Sequence, residues 1–150
     1  MINLLPYIEN SFKIFFNRRH LRKMAALRLK NEINYNLRIL DMINWKNINQ
    51  ETQKHLSKQL STAALKEYIY LGKPNLVEKI INAIPKSSTE KTADENYIDK
   101  ESLIGNIINR IKTVKVIANL PEDLRENDKS RFGTRINNIH IGLNDLKKLI

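Results

Sequence analysis

The chain of 150 residues contains no cysteine, which excludes disulfides, thiolate metal sites and cysteine nucleophiles. Its four glycines, Gly72, Gly105, Gly133 and Gly142, stand alone, so a glycine-rich phosphate-binding loop cannot be built. The three histidines form no zinc-binding pattern, and the acidic residues lack the order of a calcium loop. We therefore expect no metal site and no cofactor, and no small-molecule substrate is evident.

The start of the chain lacks the positive region that opens a secretory signal. Glu9, Lys13 and Arg18 interrupt its apolar residues well before the roughly 18 positions that a membrane span requires. Together with the missing cysteines, this favours a cytoplasmic location, with peripheral binding to a membrane left open. An arginine-rich, acid-poor start is also typical of an organellar transit peptide.

The composition of the chain is typical of a globular protein, with 41% hydrophobic and 28% charged residues. A chain of this length is typical of one domain and buries on the order of two thirds of its unfolded surface. We expect residues 1–150 to form a single α-helical domain.

Positive charge is concentrated at one end of the chain. The total is +10, and residues 1–30 hold seven basic side chains against Glu9 alone, a net +6. Charge needed only for solubility would be interspersed, so this block indicates a docking surface.

Helical periodicity dominates the sequence. Residues 6–43 predict one long helix, because apolar side chains between Ala26 and Leu40 recur at steps of three and four. Residues 33–39 also alternate at the strand period, but strong helix formers precede them and favour the helix.

Two further helices are expected to form a tight hairpin. The first extends from the N-cap Asn49 to Leu71, where Gly72 supplies a left-handed C-terminal residue. The second begins at Pro74 and is stopped by Pro85.

The polar stretch at residues 85–98 predicts a flexible loop, followed by a helix over residues 99–120. A last helix carries an apolar heptad seam, which leaves open a homo-oligomer through this face. Its positions are Phe132, Ile136, Ile139, Leu143, Leu146 and Ile150. The fold class is therefore all-α, a bundle of four to five helices with a long N-terminal helix.

The basic amphipathic N-terminal segment, residues 1–30, is the main candidate binding site. Its phenylalanines are suited to a lipid interface, and its cations to anionic head groups, nucleic-acid phosphates or an acidic protein. The competing interpretation places the phenylalanines in the core and the cations on a solvated face. The candidate binding residues are Phe12, Phe15, Phe16, Lys13, Arg18, Arg19, Arg22, Lys23, Arg28 and Lys30.

Arg135 and His140 form the one arrangement with a catalytic interpretation. Their Arg-x4-His spacing resembles the signature of HEPN-domain ribonucleases, small all-α proteins. The resemblance implies a dimer in which paired motifs cleave RNA, the histidine moving a proton and the arginine stabilising phosphorane charge. Ile136 stands where that family prefers a polar residue, and five helical residues separate the two side chains by about 140°. We therefore predict that the pair is not catalytic.

The sequence thus favours a small non-enzymatic interaction protein whose basic N-terminal helix docks on an acidic surface. One alternative is a HEPN-like ribonuclease acting as a toxin or defence factor. Another is a structural subunit of a helical homo- or hetero-oligomer.

Overall fold

A computed structural model describes residues 4–45, 48–73, 79, 93–121, 124 and 129–150. Within these ranges five α-helices have both bounds described and no residue is in a strand, which confirms the predicted all-α bundle with a long first helix. The strand interpretation of residues 33–39 was wrong, and the helix predicted to follow Pro74 lies outside the described residues. The helices are α1 (Leu5–Asp41), α2 (Gln50–Gln59), α3 (Ala63–Gly72), α4 (Ala93–Asn119) and α5 (Lys129–Leu149).

The single helix predicted from Asn49 to Leu71 is two helices. Asn49 is the N-cap of α2, as predicted, and its side chain accepts a hydrogen bond from the Thr52 amide. Leu60 ends α2 in an extended conformation. The predicted left-handed role of Gly72 was wrong, because Gly72 is the last residue of α3 and no described glycine has a positive φ.

Side chains of α1 explain why the chain breaks between α2 and α3. The buried Asn36 amide donates to the Ser61 carbonyl (2.8 Å) and accepts from the Ser61 amide (2.9 Å). The Glu32 carboxylate accepts from the amides of Ala64 and Leu65, each at 3.0 Å. The N-cap residue of α3 makes no side-chain cap of its own. The Glu32 carboxylate of α1 therefore accepts the hydrogen bonds from the first amides of α3.

The predicted flexible loop at residues 85–98 is partly wrong. Residues 93–98 belong to the first turns of α4, and residues 85–92 lie outside the described ranges. The polar composition that suggested a loop is also compatible with the start of a helix.

The core is one connected cluster to which all five helices contribute. Trp45 follows α1 and is buried in this cluster. Its Nε1 donates to the Leu40 carbonyl (3.2 Å), and its ring centroid lies 6.0 Å from that of Phe132.

The heptad seam of α5 is part of this core. Its side chains from Phe132 to Leu146 are buried inside the chain, and Ile150 is 36% exposed. Gly142 lies close to α4, where a Cβ atom would come within 3.1 Å of Ile107 Cγ1. The predicted homo-oligomer through this seam stays a prediction, and it would compete with the internal packing.

Candidate docking surface

The two ends of α1 differ in the solvent exposure of their apolar side chains. Ala25 is the first fully buried residue along the helix, and residues 25–41, here called the core half, contribute to the bundle core. Residues 4–17, here called the arm, hold seven large apolar side chains that are each at least half exposed. These are Leu4, Leu5, Tyr7, Ile8, Phe12, Ile14 and Phe16.

The arm continues the helix of the core half towards the N-terminus without a cap at its own end. Pro6 lies in the first turn, where its missing amide hydrogen costs nothing. No side chain caps the helix at Leu4, and no acidic residue lies in the first turn. This end of α1 is therefore stabilised by helix continuity rather than by a cap.

Three of the predicted docking cations contact α3 or the residue that follows it. Arg22 Nε donates to the Leu71 carbonyl (2.7 Å), and Arg18 Nη2 donates to the Lys73 carbonyl (2.6 Å). Since α3 has no basic residue in its last turn, these guanidinium groups supply the positive charge that a helix C-terminus favours. Arg28 pairs with Glu67 at 3.5 Å.

α3 consequently runs antiparallel to α1 and is held at both ends by it. Glu32 lies at the N-terminus of α3, and Arg22 and Arg18 lie at its C-terminus. Each charge has the sign that stabilises the helix end it contacts. The arm is the part of α1 that precedes this contact.

The remaining predicted cations stay exposed, and most of them share a face with the exposed apolar residues. At about 100° per residue, seven side chains of α1 fall within roughly 80° of one another. We call this set the docking stripe: Leu5, Ile8, Phe12, Phe16, Arg19, Lys23 and Lys30. Lys13 is exposed but lies off the stripe.

The three phenylalanines are not equivalent. Phe12 is 59% exposed and Phe16 is 61% exposed, both on the docking stripe. Phe15 lies on the core-facing side and is half-buried, with its ring edge-to-face with Phe16 at a centroid distance of 5.9 Å. Phe15 therefore supports Phe16 rather than extending the stripe.

The side chains of the docking stripe change from apolar to basic along the helix. Its first four turns present only aliphatic and aromatic side chains, and the following turns present Arg19, Lys23 and Lys30. Exposed apolar groups of this size gain free energy when they leave water. Adjacent cations attract an anionic surface at long range, within the limits of salt screening.

Arg135 and His140 are not brought together around a common centre. Both lie in α5, which is helical throughout, while Ile136 and Ile139 between them are buried. His140 Nε2 lies 2.7 Å from Asp41 Oδ1, and its Nδ1 lies 3.3 Å from Asn144 Nδ2. Because an amide nitrogen donates, Nδ1 accepts and Nε2 donates to Asp41. His140 therefore links α5 to the last residue of α1, and its non-catalytic role stays a prediction.

The chain matches no protein-family model, no curated protein and no solved structure. Within the described ranges, the structure holds no helix whose length and apolar character would let it cross a bilayer. The same residues include no group of three or more histidine and carboxylate side chains arranged to hold a metal ion.

The sequence analysis treated residues 1–30 as one basic segment and missed that its cations divide between two faces of α1. Leu5 and Ile8 belong to the stripe, whereas Arg18 and Arg22 continue the core-facing row that leads to Ala25. The spacing of the cations contained this signal, because steps of four and three from Arg18 reach Arg22, Ala25 and Leu29 in turn.

Proposed function

We propose that this chain is a non-enzymatic, cytoplasmic protein that binds the surface of anionic membranes through the docking stripe of α1. In this proposal Phe12 and Phe16 enter the interface between head groups and acyl chains. Arg19 and Lys23 meet lipid phosphates and carboxylates. The binding is peripheral, as for other interfacial helices.

The observation that carries the proposal is the exposure of apolar and basic side chains on one face of a continuous helix. The stripe's four apolar members are each more than half exposed. Clusters of this kind are uncommon on proteins that have no binding partner. Charge complementarity selects the partner, since cations occupy the same stripe and each contributes about 1 kcal/mol at an anionic membrane.

A lipid surface fits the stripe better than a nucleic acid does. Proteins that bind single strands place aromatic rings along a basic groove, so that bases stack while phosphates pair. Here the rings and the cations occupy separate parts of the stripe, and the apolar part includes the aliphatic Leu5 and Ile8. Aliphatic side chains offer bases no stacking surface, but they enter a lipid interface readily.

A second copy of the chain fits the stripe less well. Parallel pairing of two stripes would place Arg19 against Arg19 and Lys23 against Lys23. Antiparallel pairing would set the phenylalanines of one copy against the cations of the other, with only Glu9, at the flank of the stripe, to offset three cations. Burying unpaired cations is unfavourable.

The test is sedimentation of the full chain with vesicles of mixed phosphatidylcholine and phosphatidylserine, compared with vesicles of phosphatidylcholine alone. We expect binding to the mixed vesicles that weakens steeply as salt rises. Phe12→Ser with Phe16→Ser should weaken binding about tenfold or more, because each ring loses apolar burial. Arg19→Gln with Lys23→Gln should also weaken it.

The matched control is Ile14→Ser, which removes an exposed apolar side chain on the other side of the same turns and should leave binding nearly unchanged. Equal loss from Ile14→Ser would contradict the stripe. Absence of vesicle binding at low salt would overturn the proposal. Retained binding to a single-stranded oligonucleotide in that case would favour a nucleic acid instead.

A further inference from the structure

The docking stripe is longer than the arm, and this has a geometric consequence for the proposed membrane binding. It extends from Leu5 to Lys30, about 38 Å along the helix at 1.5 Å per residue. Lys30 lies on α1 beside the bundle, well past the exposed apolar turns, and is itself exposed. A surface that recognises only the N-terminal end of α1 would not use Lys30.

We infer that α1 docks with its axis flat along the bilayer, from Leu5 to Lys30, rather than inserting its N-terminal end. This inference rests on the proposed membrane function and specifies its geometry. Flat docking places Phe12 and Phe16 at the boundary between head groups and acyl chains and aligns Arg19, Lys23 and Lys30 with the phosphates.

Charged side chains in the arm argue against insertion by the end. Glu9 and Lys13 lie within its central turns, and both are exposed. End-first insertion would carry both into hydrocarbon, which strongly disfavours ions. In the flat orientation Lys13 lies about 100° from the stripe and Glu9 lies at its flank, so both keep contact with water.

Along residues 5–30 of α1, the position of α3 is compatible with flat docking. The buried side chains of α1, such as Ala25 and Leu29, centre roughly 100° from the stripe around the helix axis. α3 therefore lies to the side of α1 and not between the stripe and the bilayer. The contacts of Arg18 and Arg22 with α3 can persist while the stripe is bound.

Two neighbouring positions distinguish the two orientations. Ile8 lies on the stripe, and Asn10 lies two residues further along and on the far side of the helix. Because the chain has no cysteine, Ile8→Cys and Asn10→Cys each accept a single nitroxide label. On mixed phosphatidylcholine and phosphatidylserine vesicles, flat docking makes the first label accessible to oxygen and the second accessible to an aqueous nickel complex. End-first insertion would bury both equally.

A charge-matched pair gives an independent measurement. Lys30→Gln and Arg38→Gln each remove one positive charge from an exposed position of α1, but Arg38 lies off the stripe. We expect Lys30→Gln to weaken vesicle binding about fivefold and Arg38→Gln to leave it unchanged. Circular dichroism checks that both variants keep the parent's helix content.

The outcomes separate the orientation from the function. If the parent binds vesicles while the two labels report the same depth, or Lys30→Gln and Arg38→Gln behave alike, flat docking is wrong and peripheral membrane binding stands. If the parent binds no vesicle at all, the proposed function itself fails.

Discussion

The two ends of α1 share one helix and differ in almost everything that surrounds it. In the core half, Leu29 and Ile33 are completely or almost completely buried. In the arm, side chains of the same kind face solvent, because α3 ends at the level of Arg18. The helical conformation of α1 is therefore continuous although the burial of its side chains is not. The apolar periodicity indicates the helix, and the positions of the neighbouring helices determine which of its side chains are buried.

The difference should be largest in local stability. Amides of the core half exchange with solvent only when the whole bundle unfolds, whereas those of the arm exchange by local fraying. We expect at least about a thousandfold greater protection in the core half. Hydrogen exchange followed by peptide mass spectrometry measures it. Similar protection across α1 would mean that the arm is packed in solution.

The next largest difference is expected in the free energy of unfolding when one large apolar side chain is truncated in each region. Leu29→Ala should lower the free energy of unfolding by about 2–5 kcal/mol, because Leu29 is 0% exposed and leaves a cavity. Phe12→Ala should change it by less than about 0.5 kcal/mol. Urea titrations of both variants measure the contrast. A large cost at Phe12 would show that the arm contributes to the folded core.

A matched pair of carboxylates compares the same regions. Glu32→Ala removes the acceptor for two α3 amides and for the Ser61 hydroxyl, at a cost of about 2 kcal/mol. Glu9→Ala in the arm should be nearly neutral in the same urea titration, since Glu9 is exposed. Equal effects would argue against the cap that Glu32 provides for α3.

The smallest effect concerns pH. Burial raises the pKa of Tyr68, on α3, above its ordinary value of 10.0. Phenolate is therefore disfavoured in the folded state, and the unfolded chain loses this proton first. Stability from this group is complete below pH 10 and is lost as the pH rises.

Tyr68→Phe should make the decline of stability above pH 10 less steep. Tyr70→Phe, at a largely exposed position of the same helix, is the control and should decline like the parent. Urea midpoints on either side of pH 10 provide the measurement. Indistinguishable slopes for Tyr68→Phe and the parent would contradict the burial effect.

Much of the fold was predictable because it depends on local periodicity. The apolar steps along residues 26–40 and along α5 identify helices whatever packs against them. The break between α2 and α3 was not predictable from those patterns. It depends on Glu32 and Asn36, which are distant in sequence and adjacent only once α1 and α3 pack.

The candidate site was predictable as a segment but not as a surface. Net charge identifies residues 1–30, and it does not distinguish Arg18 from Arg19. One of these arginines meets a carbonyl of α3 and the other faces solvent. That distinction requires the position of α3, whose end determines which cations of α1 are engaged.

The capping of α3 by side chains of α1 also constrains the order of folding. An isolated helix of ten residues is too short to persist in water. The groups that stabilise its two ends are supplied by Glu32, Arg22 and Arg18, so they exist only after α1 has formed. α1 therefore acts as the template on which α3 assembles, and the chain must close a loop of some thirty residues before α3 gains any of that stabilisation.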